Sequence, residues 1–189
     1  TAVAAIVILV GKAVGAGMWA WRSTGWRVPR RVQDIIRGEM GRLGGREMLM
    51  PVLHPAEIWK RSGRYEVDVI FKLKDRADRD LVLAITHEEI VALHASQTIR
   101  RYRDRPQIWY HIQLKERDGA RPTAGVLRTR EFTMKDSYTL DRDQAGLDES
   151  YALHEVAYDR IYTRCGLGFY KVESDTGIMG GSLAHEYMA

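Results

Sequence analysis

What the chain lacks narrows it first. One cysteine, Cys165, stands among 189 residues, so no disulfide can form within the chain and a reducing compartment is the simplest setting. The apolar run from Thr1 to Val10 is ten residues long, and a membrane-spanning helix takes about 20. No positive charge precedes that run, which argues against a secretory leader. We read Thr1 to Val10 as a buried strand or helix, or as a segment packed against another chain. A first residue of Thr rather than Met points to a chain that is processed, trimmed or incompletely known. No internal repeat and no low-complexity linker interrupts the sequence. Metal-ligand spacing is missing too. His87-Glu88 would need a second histidine at the position held by Val91 to make H-E-x-x-H, and His185-Glu186 has no third ligand at a suitable distance, so no metal site is expected.

What is there describes a soluble globular domain. Hydrophobic residues make up 45% and charged residues 29%, enough for one substantial core and a small appendage. The formal charge of +4 permits contact with a polyanion without demanding it.

The most informative stretch is Ile108 to Tyr138. Ile108, Tyr110, Ile112 and Leu114 alternate with Trp109, His111, Gln113, Lys115 and Arg117. Period two predicts a strand with one apolar and one polar face. Residues 118–125 are turn formers, and Val126 to Met134 alternates again, with Arg128, Arg130, Phe132 and Met134 on one face. An antiparallel hairpin follows. Guanidinium groups grip phosphate oxygens in pairs, and an aromatic face can stack on a base. The same composition also suits a solvated edge.

Around it, Val28, Val32, Ile35, Ile36 and Met40 predict a helix over Pro29 to Leu43, with Pro29 in its first turn and Gly44-Gly45 ending it. Arg46 to Leu53 reads as a short apolar strand broken by Pro51, hence an edge or an interface. Val67 to Lys74 and Leu81 to Ile85 read as a hairpin around Asp75 to Asp80. A helix is expected from Glu88 to about Tyr102, opened by a capping box of Thr86 and Glu89. Thr139 or Asp141 is expected to cap a long helix. Its stripe of Leu147, Tyr151, His154, Tyr158, Ile161 and Cys165 makes His154 and Cys165 core residues. Phe169 to Glu173 and Leu183 to Met188 read as strands flanking the glycine loop Thr176 to Gly181.

Several strings resemble one family. Arg117 closing a strand, a loop, then Phe132 and Asp136 on the returning strand resemble the second motif of class II aminoacyl-tRNA synthetases. The wording Arg128-Thr129-Arg130-Glu131-Phe132-Thr133-Met134-Lys135-Asp136-Ser137-Tyr138 is similar to the bacterial-type prolyl enzymes, and the resemblance runs from about Ala16 to Met188. It implies an α/β (α+β) fold, an antiparallel sheet flanked by helices, normally dimeric through the first motif near Arg46 to Leu53. It also implies ATP-dependent activation of L-proline and transfer to tRNA(Pro), with Mg2+ carried by ATP, in the cytoplasm, with no membrane partner.

By the same resemblance Thr86 and Glu88 would bind the substrate ammonium, and Arg117 would be catalytic, bridging the proline carboxylate and the ATP α-phosphate. Arg128 would reach the triphosphate and Phe132 would sandwich adenine. Met134, Asp136, Tyr138 and His185 would line the proline pocket.

Two departures matter. The family's second motif reads Arg-any-Glu, and here Arg117 and Asp118 are followed by Gly119. A third motif, an editing insertion and an anticodon-binding domain are not found. Residues 1–15 are therefore expected to be an atypical apolar segment and 16–189 the first part of a catalytic domain. A paralogue that binds without turnover, acting as an interaction module, is the alternative. A domain whose Thr1 to Val10 run packs on a partner is another.

Overall fold

The computed structural model describes residues 10–122, 125–177 and 180–189. Expectations resting on Thr1 to Leu9, on Thr123 and Ala124, and on Ile178 and Met179 of the glycine loop lie outside the described residues.

Strands β1 (Gly11–Gly15) and β2 (Met18–Trp21) form an antiparallel hairpin. Its tip docks on the segment entering the central hairpin, where the Arg130 N–H donates to the Gly17 carbonyl at 2.8 Å. Gly17 has φ +74°, and a Cβ there would meet Pro122 at 2.8 Å, so close approach and backbone conformation both require glycine.

Helix α1 (Ser23–Arg42) begins ahead of the expected start and carries Pro29 inside it. Docking sets that start: the Arg22 N–H donates to the Val10 carbonyl at 3.0 Å. A Cβ on Gly25 would sit 2.1 Å from the same oxygen. Tertiary contact outweighs the one backbone bond the proline removes.

The expected strand at Arg46 to Leu53 is split. β3 (Arg46–Glu47) runs parallel to the central hairpin, and β4 (Leu53–Pro55) belongs to another sheet, with Pro51 in the break. After α2 (Ala56–Ser62), β5 (Lys72–Lys74) and β6 (Asp80–Leu83) make the expected hairpin, and β4-β6-β5 is its sheet. The turn is tied by Asp75, whose carboxylate accepts from the Ala77 and Arg79 N–H groups. Beneath that sheet lies a core of Ala56, Trp59, Ile70, Val82 and Ile85, with Trp59 fully buried.

Helix α3 (Glu88–Thr98) is shorter than expected and gives way to a 3-10 turn at Tyr102–Asp104. No side chain caps its start; Glu89 instead accepts from Ser62 at 2.9 Å and pairs with Arg64 at 3.0 Å. The expected capping box is corrected accordingly: ion pairing across to α2 outcompetes a local cap.

The central hairpin is β7 (Gln107–Glu116) and β8 (Glu131–Leu140), in continuous antiparallel register from Gln107↔Leu140 to Glu116↔Glu131. β8 begins at Glu131 rather than Val126, so Arg128 and Arg130 sit in the approach to the strand and not on its face. The polar face of β7 is the more deeply buried one, although Tyr110 on the apolar face is buried too. Trp109, His111, Gln113 and Lys115 are buried, while Leu114 on the apolar face is 42% exposed. Polar groups line the inside because they bond one another there.

Helix α4 (Gln144–Arg164) is capped by Asp143, which accepts from the Gly146 N–H at 2.9 Å, and not by Thr139 or Asp141. Its buried side is Ser150, Ala157 and Ile161; Leu147 is exposed and Cys165 half-buried, which shifts the expected stripe. The expected internal place of His154 fits its contacts, Ser137 Oγ at 2.7 Å and the Ser150 carbonyl at 2.7 Å. Strands β9 (Tyr170–Glu173) and β10 (His185–Met188) pair antiparallel. The architecture is α/β, with antiparallel pairing dominant and four described helices.

Candidate active site

A cavity of about 840 Å3 opens between the β7–β8 hairpin and the segment leading into α3. Thr86, Glu88, Arg117, Arg128, Phe132, Met134 and Asp136 all line it. Seven of the residues singled out from sequence are thus brought together.

Arg117 follows β7 and extends the pairing, its N–H donating to the Arg130 carbonyl at 2.8 Å. Its Nε and Nη2 both donate to the Ile85 carbonyl at 3.3 Å, which sets the guanidinium beside Thr86. The same guanidinium lies 5.3 Å from the Phe132 ring centre, a cation–π distance. Arg64, Arg121, Arg128 and Arg130 add positive charge to the walls.

The opposite character comes from Thr86, Glu88 and Asp136. The Thr86 hydroxyl donates to the Glu88 carboxylate, which Arg64 approaches at 3.5 Å. These are the sole carboxylates among the described lining residues. A cavity with guanidiniums on one part of its wall and carboxylates on another suits a ligand carrying both phosphate and ammonium.

Beneath Asp136 lies a buried polar network built on the polar face of β7. Asp136 Oδ2 contacts His111 Nε2 at 3.0 Å, the Tyr138 hydroxyl at 3.0 Å and Lys115 Nζ. Lys115 also meets His87 Nδ1 and, at 2.9 Å, His111 Nε2. His87, His111 and Asp136 lie close enough to suggest a metal, yet the Lys115 nitrogen contacts all three. Burial pushes the His87 ring down to about 3. Burial alone would raise Asp136, but the hydrogen bonds it accepts from His111 and Lys115 outweigh it and hold the carboxyl below its ordinary range. Tyr138 is pushed up by burial and then by the charge of Asp136. The available signal was four hydrogen-bonding residues at strict period two on a strand too central to be an edge.

Two expected residues stand elsewhere. Tyr138 lines a second cavity of about 370 Å3, which shares Glu88 and Asp136 with the first. His185 lines neither; on β10 it contacts the Tyr151 hydroxyl at 2.8 Å and Glu155 at 3.4 Å. Gly119 lines the large cavity, and a Cβ there would meet nothing within 4 Å. The neighbouring Asp118 points its carboxylate at Arg130 Nε, 3.3 Å away.

The chain is 54% identical over 178 residues to the proline–tRNA ligase of Thermodesulfovibrio yellowstonii, covering 93% of this chain and 31% of that protein. It is 50% identical over 177 residues to the enzyme of the same name from an Anaeromyxobacter species, again covering 93% of this chain and 31% of the relative. The chain thus spans about a third of the length of these curated relatives. Among solved structures, the prolyl-tRNA synthetase of Giardia lamblia in complex with prolyl-adenylate superposes with a TM-score of 0.84 at 16% identity, over 91% of this chain and 36% of that one. That of Cryptosporidium parvum, complexed with L-proline and AMP, gives 0.87 at 14% identity, over 98% of this chain and 38% of that one. At such identities these two establish the fold. The family model for the tRNA synthetase class II core domain (G, H, P, S and T) matches residues 71–188, and with most of the chain inside that match, the chain belongs to this family.

Proposed function

We propose that the chain is catalytic core from a prolyl-tRNA synthetase, which activates L-proline with ATP to prolyl-adenylate and passes the prolyl group to tRNA(Pro). One observation carries the reading: Arg117 lines the same cavity as Thr86 and Glu88, tethered to the carbonyl of the residue just before Thr86. An amino acid whose ammonium meets Thr86, Glu88 and Asp136 has its carboxylate directed toward Arg117. A carboxylate oxygen of proline attacks the α-phosphorus in line, the bond to the β-phosphate oxygen breaks, and pyrophosphate leaves. Charge gathers on the α-phosphate as this happens, and a preorganised guanidinium stabilises it. A ribose hydroxyl of tRNA then attacks the activated carbonyl and releases AMP.

Phe132 offers its ring to adenine, and Arg128 reaches the triphosphate. Met134 gives the proline ring an apolar wall, with Tyr138 and His185 further out. Mg2+ travels on the ATP oxygens, since the cavity's described carboxylates face the ammonium end. Residues 16–189 then form the first part of a catalytic domain. Exposed Leu49, 84% accessible, supports a homodimer surface around Arg46 to Leu53. No described helix is long and apolar enough to cross a membrane.

The test is proline-dependent pyrophosphate exchange by the whole protein containing this chain. Exchange with L-proline is expected, and its absence under saturating ATP overturns the assignment. Gly119 favours a second reading, a protein that binds ligand without turnover, because no carboxylate follows Asp118 to accept from the adenine amino group. Binding of proline and ATP with no exchange would select that reading.

A further inference from the structure

Hydrogen positions in the network under Asp136 can be read from the backbone outward. Gln113 is held by main chain: the Met50 N–H donates to Oε1 at 3.0 Å, and Nε2 donates to the Met50 carbonyl at 2.8 Å. Turning the amide over would set donor against donor and acceptor against acceptor, so its orientation is fixed. The remaining Nε2 hydrogen points at His87 Nε2, 2.9 Å away. That ring nitrogen must accept, so His87 is neutral and carries its proton on Nδ1.

The Nδ1–H of His87 faces Lys115 Nζ. An ammonium has three donors and no lone pair, so it cannot receive that proton. A neutral amine can, and it keeps a hydrogen to donate to Asp136. An ion pair would be the ordinary reading of a lysine against an aspartate, and the tautomer of His87 decides against it. His111 fits the same assignment. Its Nδ1 is buried without a hydrogen-bond partner among the described residues, a place for a bare lone pair rather than an N–H. Its Nε2 then carries the hydrogen given to Asp136 at 3.0 Å.

We propose that Lys115 is a specificity-determining residue that works as an uncharged amine: it leaves Asp136 a carboxylate held by neutral donors, so this end of the cavity takes a protonated amine. The other carboxylate there, Glu88, already faces Arg64 at 3.5 Å. The identity of the amine as L-proline rests on the function proposed above; the charge state of Lys115 does not.

The charged surroundings of Lys115 come from every packed element. Asp136 and Tyr138 face it from β8, His111 and Arg117 from its own strand, His87 and Glu88 from the entry to α3, and His54 from β4. Burial, the largest influence, lowers its pKa, Asp136 and Glu88 oppose that, and Arg117 adds to it, with a net downward shift.

The first test needs no ligand. In 15N spectra of the whole protein near neutral pH, His87 should show a protonated Nδ1 and a bare Nε2, and Lys115 Nζ should appear as an amine. An ammonium signal, or a proton on His87 Nε2, overturns the proposal. The second test is calorimetry with L-proline. Lys115→Met, which has no nitrogen to protonate, is compared with the parent across the acid range. As pH falls, the parent should lose affinity when Lys115 gains its proton, and Lys115→Met should lack that limb. The same loss of affinity at low pH in Lys115→Met also overturns it. If the parent binds no L-proline, the substrate assignment fails and the spectra alone decide the role of Lys115.

Discussion

The guanidinium of Arg117 lies 5.3 Å from the centre of the Phe132 ring while donating twice to the Ile85 carbonyl. Both contacts orient the group without neutralising it. A cation fixed in this way is prepared for phosphate and needs little rearrangement when charge develops.

Removing it should therefore be felt at the transition state. Arg117→Ala should lower kcat/KM for proline-dependent pyrophosphate exchange by about 10²–10³. Arg117→Lys should recover only part of that, because a single ammonium cannot reproduce a planar fork. Steady-state exchange kinetics check both, and wild-type rates in Arg117→Ala would remove the residue from the mechanism.

Gly119 gives a gain-of-function expectation. A Cβ at this position meets nothing within 4 Å, and the residue lines the large cavity. Gly119→Glu should tighten ATP binding by about 1 kcal/mol, the worth of one added hydrogen bond. Direct ATP titration reads it; unchanged affinity would place the adenine elsewhere.

A pH effect on stability should arise at the open end of the central hairpin. Glu116 pairs in register with Glu131, and burial first, then that neighbour, push the Glu116 carboxyl up from 4.5 to about 7. The folded state binds this proton more tightly than the unfolded one. The stabilisation is thus complete below pH about 4.5 and lost as pH rises through about 7. Glu116→Gln should raise the melting temperature relative to the parent more at pH 8 than at pH 5. Equal shifts at the two pH values would refute the coupling.

The core under β4-β6-β5 should depend on Trp59, which is 0% exposed and donates from Nε1 to His54 Nδ1 at 3.1 Å. Trp59→Ala should cost about 3–5 kcal/mol from lost burial and the cavity left behind. Trp59→Phe should cost less, keeping most of the packing while losing the hydrogen bond. Urea unfolding separates the two.

Sequence alone determined the elements whose signals are local. The period-two pattern at Ile108 to Lys115 marks β7, the Asp75 to Asp80 turn marks the β5–β6 hairpin, and Gly166 follows the end of α4. The string from Arg128 to Tyr138 named the family and part of the cavity wall. Tertiary structure decided what pairwise placement controls. Amphipathic periodicity told that β7 has two faces; it could not tell that the polar one is inside. Burying His111, Gln113 and Lys115 is favourable only because His87, Asp136 and the Met50 backbone arrive from distant segments to satisfy them. The same holds for Glu89, drawn from a local cap to Ser62 and Arg64, and for α1, whose start follows contact with Val10. Hydrogen-bond partners far apart in sequence leave no periodic trace, so only the folded chain reveals which polar residues are solvated and which are core.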